Sequence, residues 1–183
     1  MKKNINLYFE ISLLLLFILL FPFIRKDILI FSFYTVVYLY VVRFKIGSIR
    51  YLGLSTIISI IWLLIAKDFY FYSSDMVKFF SLEIYPLLAW SLGLFGLKEL
   101  YEYIAPKNKV KSILTLTIIY ILLLIILETV SYHVIGFKNS LNYPGLPICD
   151  CIHLPLFMQI YYLTIGPIYY ILTILLDKFI KKD

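Results

Sequence analysis

Residues 113–135 read ILTLTIIYILLLIILETVSYHVI, a run in which Glu128 is the one carboxylate and no Lys or Arg occurs. A helix of that length and character suits a hydrocarbon layer roughly 30 Å thick, crossed at about 1.5 Å per residue. Working outward, segments 7–24, 28–42, 51–66, 79–97 and 154–176 have the same apolar character, and short charged hinges separate them. The segments 28–42 and 51–66 are the shortest against the roughly 17–25 residues usually needed, and snorkelling by Arg25, Lys26, Arg43 and Arg50 can extend them. The expected fold is an all-α integral membrane protein, a bundle of about six transmembrane helices forming one domain over residues 1–183.

Composition agrees. The chain is 62% hydrophobic and 15% charged, with a mean hydropathy of +0.93, which leaves too little charge to cover a soluble surface. Lys2 and Lys3 before an apolar run resemble the start of a secretory signal. Segment 7–24 exceeds the roughly 7–15 residues of a signal core, however, and Phe21-Pro22-Phe23-Ile24-Arg25-Lys26 follows instead of a small-residue cleavage site. The first run is therefore expected to stay as an anchor.

The basic residues set an orientation. Twelve fall at the N-terminus (Lys2, Lys3), the second hinge (Arg43, Lys45, Arg50), the fourth hinge (Lys98, Lys107, Lys109, Lys111) and the C-terminus (Lys178, Lys181, Lys182). Five fall on the other side: Arg25 and Lys26, Lys67 and Lys78, and Lys138. Hinges rich in Lys and Arg remain cytoplasmic, so both termini are expected inside the cell membrane and the fifth hinge outside. The net charge of +6 is then explained by anionic headgroups of membrane lipids, with no nucleic acid partner. Tyr70-Phe71-Tyr72, Tyr101, Tyr103 and Tyr161-Tyr162 read as interfacial belts. Residues 97–104 (LKELYEYI) read as a solvated helix exit ended by Pro106.

The outward hinge concentrates the reactive chemistry. Residues 128–159, ETVSYHVIGFKNSLNYPGLPICDCIHLPLFMQ, hold both histidines and both cysteines of the chain, together with Glu128 and Asp150. Pro147 and Pro155 bias the stretch between them toward an extended backbone, on which Cys149, Cys151 and His153 project to one side. Two thiolates and an imidazole, with His133 or water as a fourth ligand, suit zinc or another transition metal. The alternatives are a Cys149–Cys151 disulfide and plain structural thiols. Extended residues two apart lie about 6.6–7.2 Å from one another, at the limit of disulfide geometry, so a bridge demands a bent segment.

The candidate acid–base residues are Glu128, His133, Asp150 and Glu83. A carboxyl at membrane depth defaults to function and faces the bundle interior. Within one helix Glu128 and His133 are displaced by roughly 140°, so Glu128 is expected to meet His153 or Asp150 instead, as the hinge folds back. Glu83 is expected on a helical stripe with Pro86, Leu87 and Trp90, near the same end, where it could share a cavity with Glu128. Glu10 is expected at the cytoplasmic interface, and Gly166-Pro167 is expected to kink the last helix.

In spacing, Glu128, Gly136, Asn142-Tyr143 and Pro155 resemble the small multispan lycopene cyclase domains, and the resemblance implies carboxylate protonation of an isoprenoid. The acidic pair of that family falls on Leu156-Phe157 in this chain. In size, span number and orientation the chain also resembles the substrate-binding components of energy-coupling-factor vitamin transporters. That family presents small residues on its first span, where ISLLLLFILLF offers only Ser12. Two classes of function follow. One is a membrane enzyme handling a lipid, isoprenoid or other hydrophobic small-molecule substrate; the other is a non-catalytic transport component or assembly subunit whose Cys/His hinge is a structural clip.

Overall fold

The computed structural model describes residues 2–69, 76–104, 109–134, 141 and 143–180, with side chains left out at 2–7 and 109. Six long helices follow one another: α1 (Lys2–Leu20), α2 (Lys26–Phe44), α3 (Ile49–Ala66), α4 (Ile84–Ile104), α5 (Lys109–Thr129) and α6 (Leu156–Ile180). A single 3₁₀ turn (Ile46–Ser48) leads into α3, and a π-helical turn (Val130–Val134) extends α5. Four spans are long and apolar enough to cross a membrane, namely Lys26–Phe44, Ile46–Ala66, Val110–Val134 and Leu156–Ile180. The two segments that look short in the sequence thus gain length from Lys26 and Asp27 and from the 3₁₀ turn. In α1 the apolar part with described side chains, Tyr8–Leu20, is shorter, and α4 carries Lys98, Glu99 and Glu102 in its last turns.

Segment 79–97 is corrected at its start. Residues Lys78–Phe79 (β1) and Leu82–Glu83 (β2) pair antiparallel, Lys78 opposite Glu83 and Phe79 opposite Leu82. Phe80 and Ser81 form the turn with φ of 48° and 67°, the doubly left-handed geometry that matches the twist of a two-residue hairpin. Apolar Phe79 and Phe80 imitate a helix start, but α4 begins only at Ile84. Pro86 lies in its first turn, where the missing N–H breaks no helical bond.

Helices α3 and α4 make the most extensive pairing in the bundle. Small hydroxyl residues allow it: Ser55, Ser59 and Ser91 are fully buried, Ser91 and Thr56 are hydrogen-bonded at 2.7 Å, and Tyr34 of α2 reaches Thr56 at 3.0 Å. In an apolar solvent, close backbone approach and hydroxyl bonds of this kind do what hydrophobic burial does in water. Between α5 and α6 the close approach is made at Gly166, where an added Cβ would lie 2.5 Å from the Tyr120 ring. Tyr120 then donates its hydroxyl to the Tyr162 carbonyl, and α6 continues through Pro167 as one helix.

The core contains Trp62, Leu94, Leu116, Met158, Tyr162 and Tyr169. Two of the expected interfacial tyrosines belong to it. Tyr162 packs edge-on against Trp62 and Trp90, and buried Tyr101 packs against Tyr170, because an aromatic ring at a small-residue crossing fills volume that an aliphatic chain leaves open. Tyr103 and Tyr161 are exposed as expected, while Tyr70-Phe71-Tyr72 lie outside the described residues.

Candidate functional site

At one end of the bundle the hinge folds onto the helix tips. The expected extended stretch between Pro147 and Pro155 is not formed, which is a correction: a turn occupies 147–149, and Asp150 and Ile152 take φ of 43° and 56°. Three backbone bonds close it, from Leu146 N to Cys151 O at 2.7 Å, from Asp150 N to Leu146 O at 2.8 Å and from Cys149 N to Leu146 O at 3.2 Å. This bent backbone brings the Cα atoms of Cys149 and Cys151 to 5.2 Å, and the two sulfurs are joined as a disulfide. Asn142 and residues 135–140, Gly136 and Lys138 among them, lie outside the described residues.

The disulfide bears on the metal reading. A bonded sulfur is not a thiolate, so in this state Cys149 and Cys151 lack the donor chemistry that a zinc site requires. The two imidazoles are also engaged elsewhere. His133 Nε2 and His153 Nε2 each lie 3.0 Å from the Asp150 carbonyl oxygen, and His153 Nδ1 lies 2.9 Å from the Tyr143 carbonyl. A neutral ring donates to one of the two carbonyls that flank His153, and an imidazolium donates to both. Among the described residues no group of three or more His, Cys, Asp or Glu side chains gathers as a metal site.

The π-helical turn directs Tyr132 and His133 together toward the hinge. With more residues per turn it changes the helical facing after Thr129, and the Tyr132 ring stacks on His153 at 3.9 Å with planes 10° apart. The Asp150 carboxylate approaches His153 Nε2 at 3.5 Å while remaining mostly exposed. Gly145 is required for the fit: a Cβ there would lie 2.8 Å from Asp150 Oδ1 and 3.0 Å from His153 Nε2. Below the hinge, buried Gln159 donates its amide to the carbonyls of Pro144 and Leu154 at 3.0 Å and of Ile152 at 3.3 Å. Gly145 and Gln159 go unremarked in a search for reactive groups. Their signals are a glycine between two prolines and a lone amide in the first turn of an apolar helix.

The carboxyls are distributed differently from expectation. Glu83 lies in β2, before α4, and is buried there. Glu128 continues the inward stripe of α5 formed by Leu116, Tyr120 and Leu124, each four residues apart and each buried. It lies near enough to Tyr85 and Tyr120 to interact electrostatically with both phenols. Among the described residues no hydrogen bond joins it to His153, Asp150 or Glu83. The hinge folds back over Tyr132 and His133, one helical turn beyond, so the expected meeting with Glu128 is not made.

The opposite end holds a network that the hinge-centred reading misses. Lys45, between α2 and α3, contacts Glu10 of α1 and Glu99 of α4, each at 2.6 Å. Burial opposes its charge, yet the hydrogen bonds to Glu10 and Glu99 hold its ammonium above the usual lysine range. Arg50 of α3 pairs with Asp177 of α6 at 2.9 Å, and the Tyr51 hydroxyl accepts from Arg50 at 2.8 Å while donating to Asp177. Lys98 is buried, pairs with Glu102 and places its ammonium 3.6 Å from the Tyr51 ring centre. The solvated exit expected for residues 97–104 holds in part: Leu100, Glu102, Tyr103 and Ile104 are exposed, while Leu97, Lys98 and Tyr101 are buried. Lys98 turns inward against the Tyr51 ring and meets exposed Glu102, and Tyr101 packs against Tyr170; Pro106 lies outside the described residues.

The chain is a membrane protein by its apolar helices, and comparison adds no kinship: no protein-family model, no curated protein and no solved structure matches it.

Proposed function

We propose that this chain is a multi-pass protein of the cell membrane, threaded six times with both termini cytoplasmic, that acts on a lipid or isoprenoid at the outer leaflet. Glu128 is the acid–base group of this reading, and the disulfide-closed hinge with His133, Asp150 and His153 covers the mouth of its site. The observation that supports it is the position of Glu128 on the inward stripe of α5, beside Tyr85 and Tyr120, with no hydrogen bond to its carboxyl among the described residues. Structural intramembrane carboxyls are normally paired, and one left within electrostatic reach of two phenols has a proton to exchange with a substrate.

The test compares membranes from cells expressing the wild type, Glu128→Gln or neither, by untargeted mass spectrometry of their lipids. A species that changes with the wild type and not with Glu128→Gln, at equal protein yield, is expected. Identical lipid profiles for the two proteins would remove the enzymatic reading.

The second reading, a non-catalytic transport component or assembly subunit, is favoured by the hinge itself. His133, His153 and Gln159 direct their nitrogens at backbone carbonyls, as a structural clip does. Under this reading Gln159→Leu lowers the yield of folded protein and Glu128→Gln changes nothing. A vitamin-like molecule retained through purification would favour transport.

A further inference from the structure

The Cys149–Cys151 bond is poorly suited to be a structural staple. It closes a loop of only three residues, and the chain entropy removed by a cross-link grows with loop length, so the gain here is small. The same turn is already held by the backbone bonds of Leu146 to Cys149, Asp150 and Cys151, and by the Gln159 amide beneath it. Its two cysteines are also unequal. Cys151 is fully buried in the core cluster that holds Ile152, Leu154 and Met158, whereas Cys149 packs against that cluster and stays half-buried at the tip, between Ile148, which is 96% exposed, and Asp150. A half-buried cysteine bonded to a fully buried one leaves an incoming thiol a single side of approach.

We propose that Cys149–Cys151 is a thiol–disulfide exchange centre that oxidises dithiols of extended peptides at the hinge face of the membrane. A peptide thiolate attacks Cys149 Sγ, the Cys149–Cys151 bond breaks, and Cys151 leaves as a thiolate that takes up a proton. The peptide's second thiolate then attacks its own sulfur in the mixed disulfide and releases Cys149 as a thiolate. The peptide loses two electrons to form a disulfide, and the pair Cys149/Cys151 gains them as two thiols; no further oxidant is needed for one turnover. His133 and His153 flank the carbonyl of Asp150, the residue between the cysteines, and supply protonatable groups at the rim of the centre. Ile148, fully exposed next to Cys149 at the tip of the hinge, gives an apolar side chain against which an unfolded peptide can rest. This activity is independent of Glu128 and of any lipid substrate.

The experiment uses the full chain, purified in mild detergent and mixed with a reduced peptide bearing two cysteines. Alkylation and mass spectrometry read the thiols of both partners. One peptide disulfide is expected per protein disulfide lost, equally in the wild type and in Glu128→Gln. With oxidised glutathione, Cys151→Ser is expected to form a stable mixed disulfide at Cys149, and Cys149→Ser to form none. The variants' elution in size-exclusion chromatography reports whether they are folded, while the wild-type exchange does not depend on them. A protein disulfide that persists in excess dithiol peptide, with no peptide oxidised, would overturn the proposal and leave the bond a structural clip. Equal adduct formation at Cys149 and Cys151 in the single variants would overturn the assignment of Cys149 as the attacked sulfur.

Discussion

The two ends of this bundle solve the same problem with different chemistry. At the hinge end, side chains mainly hold backbone: His133, His153 and Gln159 face carbonyl oxygens, and a covalent bond joins near neighbours in sequence. At the opposite end, side chains hold side chains. Lys45, Arg50 and Lys98 meet Glu10, Glu99, Asp177 and Glu102, mostly across helices far apart in the chain. A loop with irregular backbone must find partners for its own carbonyls, whereas helix ends whose backbone is satisfied can spend side-chain charge on fixing their neighbours. The first arrangement organises a local cap, and the second ties four helices and the α2–α3 connection together.

The comparison breaks most readily at Lys45. Its removal in Lys45→Ala leaves Glu10 and Glu99 facing each other without a cation, and a loss of about 3 kcal/mol is expected from such an orphaned pair. Thermal unfolding in detergent checks this, and combining Lys45→Met with Glu10→Gln and Glu99→Gln should recover most of the loss. The sign of the pH dependence follows from the raised pKa of Lys45: its contribution is complete below the unfolded value of about 10.5 and disappears as pH rises through the higher folded value. The hinge's carbonyl clasp is not expected to share that alkaline transition.

At the hinge end Gln159→Leu should cost about 2 kcal/mol, since three carbonyls lose one amide donor and part of that loss is recovered from water. Hydrogen exchange at residues 143–154 should rise in this variant while the α3–α4 pairing remains protected. Reducing the disulfide should cost about 1.5 kcal/mol, the entropy of closing a three-residue loop, and should lower the apparent Tm by about 3–6 °C. Smallest is Glu128→Gln, expected within about 1 kcal/mol of wild type because no hydrogen bond joins the carboxyl to another of the described residues.

The sequence makes the membrane helices legible because hydropathy needs no tertiary information. The run 113–135 announces α5, and Arg43 and Arg50 mark the limits of their neighbours. Residues 78–83 mislead because Phe79 and Phe80 are as apolar as a helix start, and only φ distinguishes the turn. Within the hinge, clustering of Cys and His identifies the region, while the bent backbone at Asp150 and Ile152 decides between disulfide and extended ligand set. The opposite-end network is the least legible. Glu10, Lys45, Arg50, Glu99 and Asp177 each come from a different element, Glu10 from the middle of α1, and their shared place depends on how the helices pack. A partial signal exists: under a six-fold threading, these five charges all fall on one side.

The proposal on which the rest depends is that the two ends lie on opposite sides of the cell membrane, with the disulfide hinge outside. Intact cells treated with a membrane-impermeant phosphine reductant and then an impermeant maleimide provide the direct measurement. The account predicts labelling of Cys149 in unbroken cells, lost in Cys149→Ser; labelling that occurs only after the membrane is opened would contradict it.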